Sequence, residues 1–229
     1  MEVVYEDNHI IIVNKAPGEI VQGDKTGDKP LSEIVKEWIK EKYAKPGNVF
    51  LGVVHRLDRP VAGLVIFAKT SKALARMNEM FRNGEVHKTY RAITRNRPPE
   101  DSDELLHYIT TVEKTNKSYA HAEPCRNAKE ARLRYRLISQ SDRYNLIEVE
   151  LLTGRKHQIR VQLAAIGCPI RGDLKYGDKR SNPDGSISLM AQRVRFTHPV
   201  SGKEIDVTAP APKNEPLWKI LEANEEGRS

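Results

Sequence analysis

The two longest apolar runs of this chain, "HIIIVN" and "GLVIFA", are only strand-length, and that limits the architecture more than any other feature. A helix needs roughly 20 apolar residues to cross a membrane, so neither run is a span. Short continuous apolar runs bounded by turn residues suit buried strands. The core must therefore be assembled from many short strands with a few helices laid against them. With 229 residues, 38% of them hydrophobic, the chain is long enough to bury such a core.

The punctuation fills in the elements. "VVYEDNHIIIVNKAPG" predicts two strands around an Asp7-Asn8 turn, closed by Pro17-Gly18. Leu31, Ile34, Val35, Trp38, Ile39 and Tyr43 are spaced as one helix face, with Pro30 suited to the first turn. A second helix is predicted from Ser71, with Leu74, Met77 and Phe81 on its inner face and Asn83-Gly84 as its stop. "HKTYRAIT" alternates as a strand. Residues 95–124 turn polar and Pro-rich, which predicts short strands away from the main core. Residues 131–140 and 144–153 predict a hairpin, and "GRKHQIRVQLAAIG" a helix with Ile159, Leu163 and Ile166 inward. A last hairpin turning at "VSGK" and a short helix, "EPLWKILE", end the series. Without regular strand–helix alternation, the expected class is α+β: a mixed, mostly antiparallel sheet with flanking helices. With no repeat, low-complexity tract or linker in view, residues 1–229 are expected to form a single domain.

Two polar clusters interrupt this pattern. In "VVHRLDRPVAGLVIFAKT", His55, Arg56, Asp58 and Arg59 sit together between two strands, followed by Pro60 and Gly63. Cations around a carboxylate favour its anion, and an anionic Asp on a turn can act as a nucleophile or a proton acceptor. The same residues also suit an ion pair that closes a turn, so the residues alone leave both readings open. In "LLTGRKHQIRVQLAAIGCPIRGDLKYG", Arg155, Lys156, His157 and Arg160 crowd the start of the predicted helix. Cations there oppose the helix dipole, so a negative partner is expected: a substrate phosphate or a carboxylate from elsewhere in the chain.

Several function classes drop out. The seven histidines show no HExxH or His/Cys ligand spacing, and no carboxylate cluster suggests Mg²⁺. GxGxxG, GxxxxGK[ST] and GxSxG are absent, so no metal, nucleotide cofactor or serine elbow is expected. Two cysteines without a pairing pattern and an N-terminus without a basic-then-apolar start suit the cytoplasm. The net charge of +7 is unevenly spread: cations crowd residues 126–136 and 155–160, which suits a surface facing a phosphate backbone.

Together the clusters resemble the RluA-type family of RNA pseudouridine synthases, from about Val4 to Pro210. "HRLDR" with Gly63 and "AKT" is similar to that family's catalytic motif, "KTYRAI" to its tyrosine motif, and "TGRKHQIRVQLAAIGCPIRGDLKYG" to its long third motif. The resemblance implies an α+β catalytic domain with a central cleft that isomerises uridine in RNA without a cofactor. By position it makes Asp58 the catalytic carboxylate, Tyr90 the ring lying against the target base, and Arg160 the arginine paired with the aspartate. It makes Arg56 the residue that fills the gap left by the flipped nucleotide. His55, Arg59, Arg155 and His157 are the further residues expected to touch RNA.

The chain departs from the family pattern in three places. Val61-Ala62 stand where Thr-Ser is usual, "KAPG" stands for KPxG, and Gln162 replaces a common histidine. No separate N-terminal RNA-binding domain is expected, and a monomer acting on ribosomal or transfer RNA is. The competing readings are a catalytically silent RNA-binding or chaperone protein, and a glycosidic hydrolase. The hydrolase would need a second acidic carboxyl that no motif supplies.

Overall fold

The structure, a computed structural model, describes residues 1–212 and 215–226. The chain divides into two compact units, Met1–Val86 with Arg193–Ala209, and His87–Gln192 with Pro210–Ser229.

The first unit opens as expected with β1 (Glu2–Glu6) and β2 (Ile10–Lys15). Asp7 Oδ1 accepts from the backbone N–H of His9 at 2.7 Å and of Ile10 at 2.9 Å, an Asx turn that sets the hairpin. Helix α1 covers Leu31–Lys42 and buries Leu31, Val35 and Ile39. A short β3 (Gly52–Val53) and β2 both pair antiparallel with β4 (Ala62–Ala68), all of whose residues are buried. Helix α2 (Ser71–Asn83) is capped by Thr70, whose side chain accepts from the Ala73 N–H, and it ends at Gly84 with φ +74°.

Its deepest face is Ala73, Met77 and Met80, rotated from the expected Leu74, Met77 and Phe81. The two displaced residues still pack, on β3 and the loop that follows it. Leu74 lies so close over Gly52 that a Cβ there would come within 2.7 Å of it, and Phe81 stacks on His55.

The second unit carries β5 (His87–Thr94), β6 (Ser102–Val112), β7 (Lys117–His121), β8 (Lys129–Gln140) and β9 (Asn145–Leu151). They lie in the order β5-β9-β8-β6-β7, and all these pairings are antiparallel. The expectation of short outlying strands over 95–124 is thus corrected: β6 is eleven residues long and pairs on both sides. Only Leu105 and Ile109 in it are buried, so its inward signal was hidden among polar residues.

Helix α3 is likewise shorter than expected, covering only Gln158–Ala165, because His157 takes a left-handed conformation (φ 56°) and the chain turns before it. Val161 of α3 joins Ile109, Ala131 and Tyr176 in a buried cluster. Strand β10 (Leu189–Thr197) starts in this unit and ends in the first, where it pairs with β11 (Glu204–Thr208). Helix α4 (Pro216–Glu226) packs on β8 and β9 through buried Trp218 and Leu221. The fold is α+β, as expected. Among the described residues no helix is long and apolar enough to cross a membrane.

Candidate active site

In the first unit the polar cluster is the loop between β3 and β4, and main-chain atoms hold most of it. The Val61 N–H donates to the Asp58 carbonyl at 3.0 Å, closing a tight turn. The Arg59 carbonyl accepts twice, from the Gly18 N–H at 2.8 Å and from Lys15 Nζ at 3.1 Å. Gly63, with φ +113°, supplies a backbone angle that a side chain would strain as the chain re-enters β4.

His55 is an anchor here: its Nε2 accepts from the Ile66 N–H at 3.0 Å, and its ring stacks on Phe81 with centroids 5.0 Å apart. Leu57 points inward, Asp58 is half-buried, and Arg56 and Arg59 are exposed, Arg59 paired with Asp28. The loop therefore presents one carboxylate and two guanidinium groups on a fixed backbone.

Lys15 is the surprise of this unit. It is 1% exposed, yet its ammonium donates to the carbonyls of Ala16 and Glu19, each at 2.9 Å, as well as to Arg59. Burial pushes its pKa down to about 8, against the upward pull of Glu19 and Asp58.

In the second unit Tyr90 sits on β5 opposite Val149 of β9 and is buried. Lys88, two residues earlier and so on the same face, lies beside the Thr153-Gly154 turn: a Cβ on Gly154 would be 3.8 Å from its Nζ. Burial lowers the pKa of Lys88.

Because α3 begins only at Gln158, Arg155 and His157 precede the helix, and of the expected cations Arg160 alone lies in its first turn. Gln158 shapes this entrance. Its Oε1 accepts from the Thr153 hydroxyl and the Arg155 N–H, and its Nε2 donates to the Arg132 carbonyl, all at 2.9 Å. Arg155 is exposed, with its Nε on the Glu130 carbonyl.

Arg160 is 5% exposed, and its charge meets the negative partner expected at the helix start. That partner is a carboxylate of the chain: Nε and Nη2 donate to Asp173 Oδ2 and Oδ1 at 2.7 and 2.9 Å. The guanidinium also lies over the Tyr176 ring, 5.0 Å from its centroid. The Tyr176 hydroxyl accepts from the Ser118 N–H at 2.9 Å and lies 2.7 Å from His157 Nδ1. Burial raises its pKa, so the phenol stays neutral.

The other basic stretch has a different character. Arg132 pairs with Glu130 and Glu104, Arg134 with Glu104 and Glu150, and Arg136 with Glu148, across the β6, β8 and β9 surface. Its charge is largely met within the sheet. Among the described residues there is no group of three or more His, Cys, Asp or Glu side chains placed to hold a metal ion.

The structure thus gathers His55, Arg56, Asp58 and Arg59 in one loop, and Arg155, His157 and Arg160 around one helix start. Sequence reasoning missed three side chains: Lys15, Asp173 and Tyr176. The available signals were a lysine ending an apolar run and an Asp and a Tyr spaced across "GDLKYG".

Known proteins resemble this chain. The family model described as RNA pseudouridylate synthase matches residues 9–165. "tRNA pseudouridine synthase C" of Vibrio vulnificus is 30% identical over 96% of this chain and 94% of its own length. "Ribosomal large subunit pseudouridine synthase C" of Rickettsia bellii is 31% identical over 92% of this chain and 68% of its own. The chain spans 58% of the length of a 29%-identical "tRNA pseudouridine synthase C" from Pectobacterium carotovorum. Among solved structures, "Human RNA Pseudouridylate Synthase Domain Containing 4" superposes with a TM-score of 0.78 at 24% identity, covering 93% of this chain and 89% of that one. This last likeness concerns the fold.

Proposed function

The chain belongs to the RNA pseudouridylate synthase family, and from that premise we propose that it isomerises uridine to pseudouridine within an RNA chain. The reaction breaks the bond between uracil N1 and the sugar C1′, turns the base, and joins C5 to C1′. The C5 proton leaves and N1 regains one, so nothing is consumed and no cofactor is called for.

The observation that best supports this reading is the loop carrying Asp58, a half-buried carboxylate on a backbone pinned at Arg59 and Val61. A fixed carboxylate can stabilise or trap the electron-poor C1′, or take a proton from the sugar. Tyr90 supplies a ring for the base and a hydroxyl near C5. Arg160 supplies a fixed positive charge for the carboxylate chemistry. The base must leave its stack to react, and the exposed Arg56 fills the space it vacates. Arg59, Arg155 and His157 serve the phosphates or sugar, and His55 acts beside them by shaping the loop.

The RNA is ribosomal or transfer RNA, the classes in the names of the relatives. We also propose a single catalytic domain working as a monomer in the cytoplasm.

The test is incubation of the purified protein with unmodified ribosomal and transfer RNA transcripts, followed by mapping of carbodiimide-dependent reverse-transcription stops. New stops with the wild type that vanish with Asp58→Asn are expected. Salt-sensitive RNA binding equal in both proteins, with no stops in either, would replace this reading with that of a silent RNA binder.

A further inference from the structure

We infer that Asp173 is a positioning residue for the reaction, acting through Arg160: it fixes the plane and the direction of the guanidinium before substrate arrives. The inference rests on the proposal that Arg160 serves uridine isomerisation.

The geometry of the contact carries it. Asp173 takes Nε and one hydrogen of Nη2, the side-on fork of a guanidinium, at 2.7 and 2.9 Å. A guanidinium is planar, so this fork directs the opposite edge, Nη1 and the second hydrogen of Nη2, away from Asp173. That edge is the end-on fork, itself able to grip a carboxylate with two hydrogen bonds. The Tyr176 ring closes one face of the same plane. Tyr176 cannot slide, because its hydroxyl is tied to the Ser118 N–H and to His157. Arg160 is thus held along one edge and across one face.

Asp173 is itself placed rigidly. Its N–H donates to the Ile170 carbonyl, and its carbonyl accepts from the N–H groups of Tyr176 and Asp178. Just before it, Gly172 has φ +87°, and a Cβ there would fall 2.7 Å from the Ser186 carbonyl, so only glycine fits this path.

Stability alone is a poor reason for this arrangement. Side chains exposed by only 6% and 1% make a buried ion pair, and such pairs commonly contribute no more than well-packed apolar residues would. What an ion pair adds is direction. A preorganised charge in a water-poor site needs no rearrangement during the reaction, and loss of such orientation lowers rates by about 10- to 100-fold.

The experiment compares wild type, Asp173→Asn, Arg160→Ala and the double variant on one RNA transcript, with kcat and KM measured separately and folding followed by thermal melting. Expected are a kcat about 10- to 100-fold lower for Asp173→Asn, a KM within about twofold of wild type, and a double variant no worse than Arg160→Ala. If Asp173→Asn fails to fold, Asp173→Glu, which keeps the charge but shifts the fork, replaces it with the same expectations.

A second readout does not depend on turnover: the Arg160 Nε–H resonance, assigned through Arg160→Lys, should be protected from exchange in wild type and exposed in Asp173→Asn. Full activity of Asp173→Asn overturns the inference, and so does an unchanged Nε–H signal. Losses that multiply in the double variant would make Asp173 an independent structural residue and overturn it as well. A wild type that forms no pseudouridine, or a fully active Arg160→Ala, would instead sink the proposed function or the role of Arg160, and this inference would fall with it.

Discussion

The arginines of β8 and those around the start of α3 look alike in the sequence, yet the fold treats them in opposite ways. Arg132, Arg134 and Arg136 stand on a solvent-facing strand surface, where the antiparallel register sets Glu104, Glu148 and Glu150 opposite them. Arg160 is drawn into the interior and locked on Asp173, while Arg155 remains outside on an exposed turn. Cation density along a chain therefore does not say what the cations face. Register neutralises one cluster, and a helix start divides the other into a buried, paired charge and an exposed one.

The sharpest way to break this contrast is to remove one arginine from each region. Arg160→Ala strands the Asp173 carboxylate inside and should cost about 3–5 kcal/mol in urea unfolding, together with a rate of pseudouridine formation lowered at least as far as in Asp173→Asn. Lys15, a third kind of cation, is buried against carbonyl oxygens and tests the cost of burial itself. Its proton leaves near pH 8 in the folded chain but only near pH 10.4 in the unfolded one. Over that window the unfolded state holds more protons, so wild-type stability should rise with pH relative to Lys15→Met. The gain is about 1.4 kcal/mol per unit of pKa difference, read by denaturation at pH 7.5 and pH 10.

Gln158→Ala, which undoes the bonds shaping the α3 entrance, should cost about 1–3 kcal/mol and disorder the 153–155 turn in amide exchange. Arg155→Ala should leave stability alone but weaken RNA binding and flatten its salt dependence by about 0.7–0.9 in log–log slope, one phosphate contact. Arg134→Ala, at the mild end, should stay within about 0.5 kcal/mol of wild type and leave the salt slope unchanged. A slope change equal to that of Arg155→Ala would dissolve the distinction between the regions.

Much of this could be seen in the residues. The buried run of β4, the Asp7 turn and the Gly84 stop are written as local signals, since each depends on neighbours in sequence. The motif residues likewise lie in short stretches that the structure keeps together. What escaped depended on distance. The length of β6 was masked because exposed Leu106 and Val112 blur the alternation and its inward face buries only Leu105 and Ile109. The late start of α3 follows from a left-handed His157, whose ring is placed by Tyr176, nineteen residues away. Lys15 ends a strand, and only contacts such as that with the carbonyl of Arg59, forty-four residues on, account for its burial. Asp173 stands within the third motif, but nothing in the sequence pairs it with Arg160, thirteen residues before.

The double use of the Arg59 carbonyl has a consequence for how such a protein can change over time. The hold on this loop is made largely to peptide oxygen and peptide nitrogen, so the turn itself asks for no hydroxyl at 61 or 62. Val61-Ala62, in a place where hydroxyl residues are usual, illustrates the latitude: the turn closes through the Val61 N–H regardless. A lineage can therefore exchange the outward groups of the loop, and with them whatever it touches, while the path that carries Asp58 is inherited unaltered.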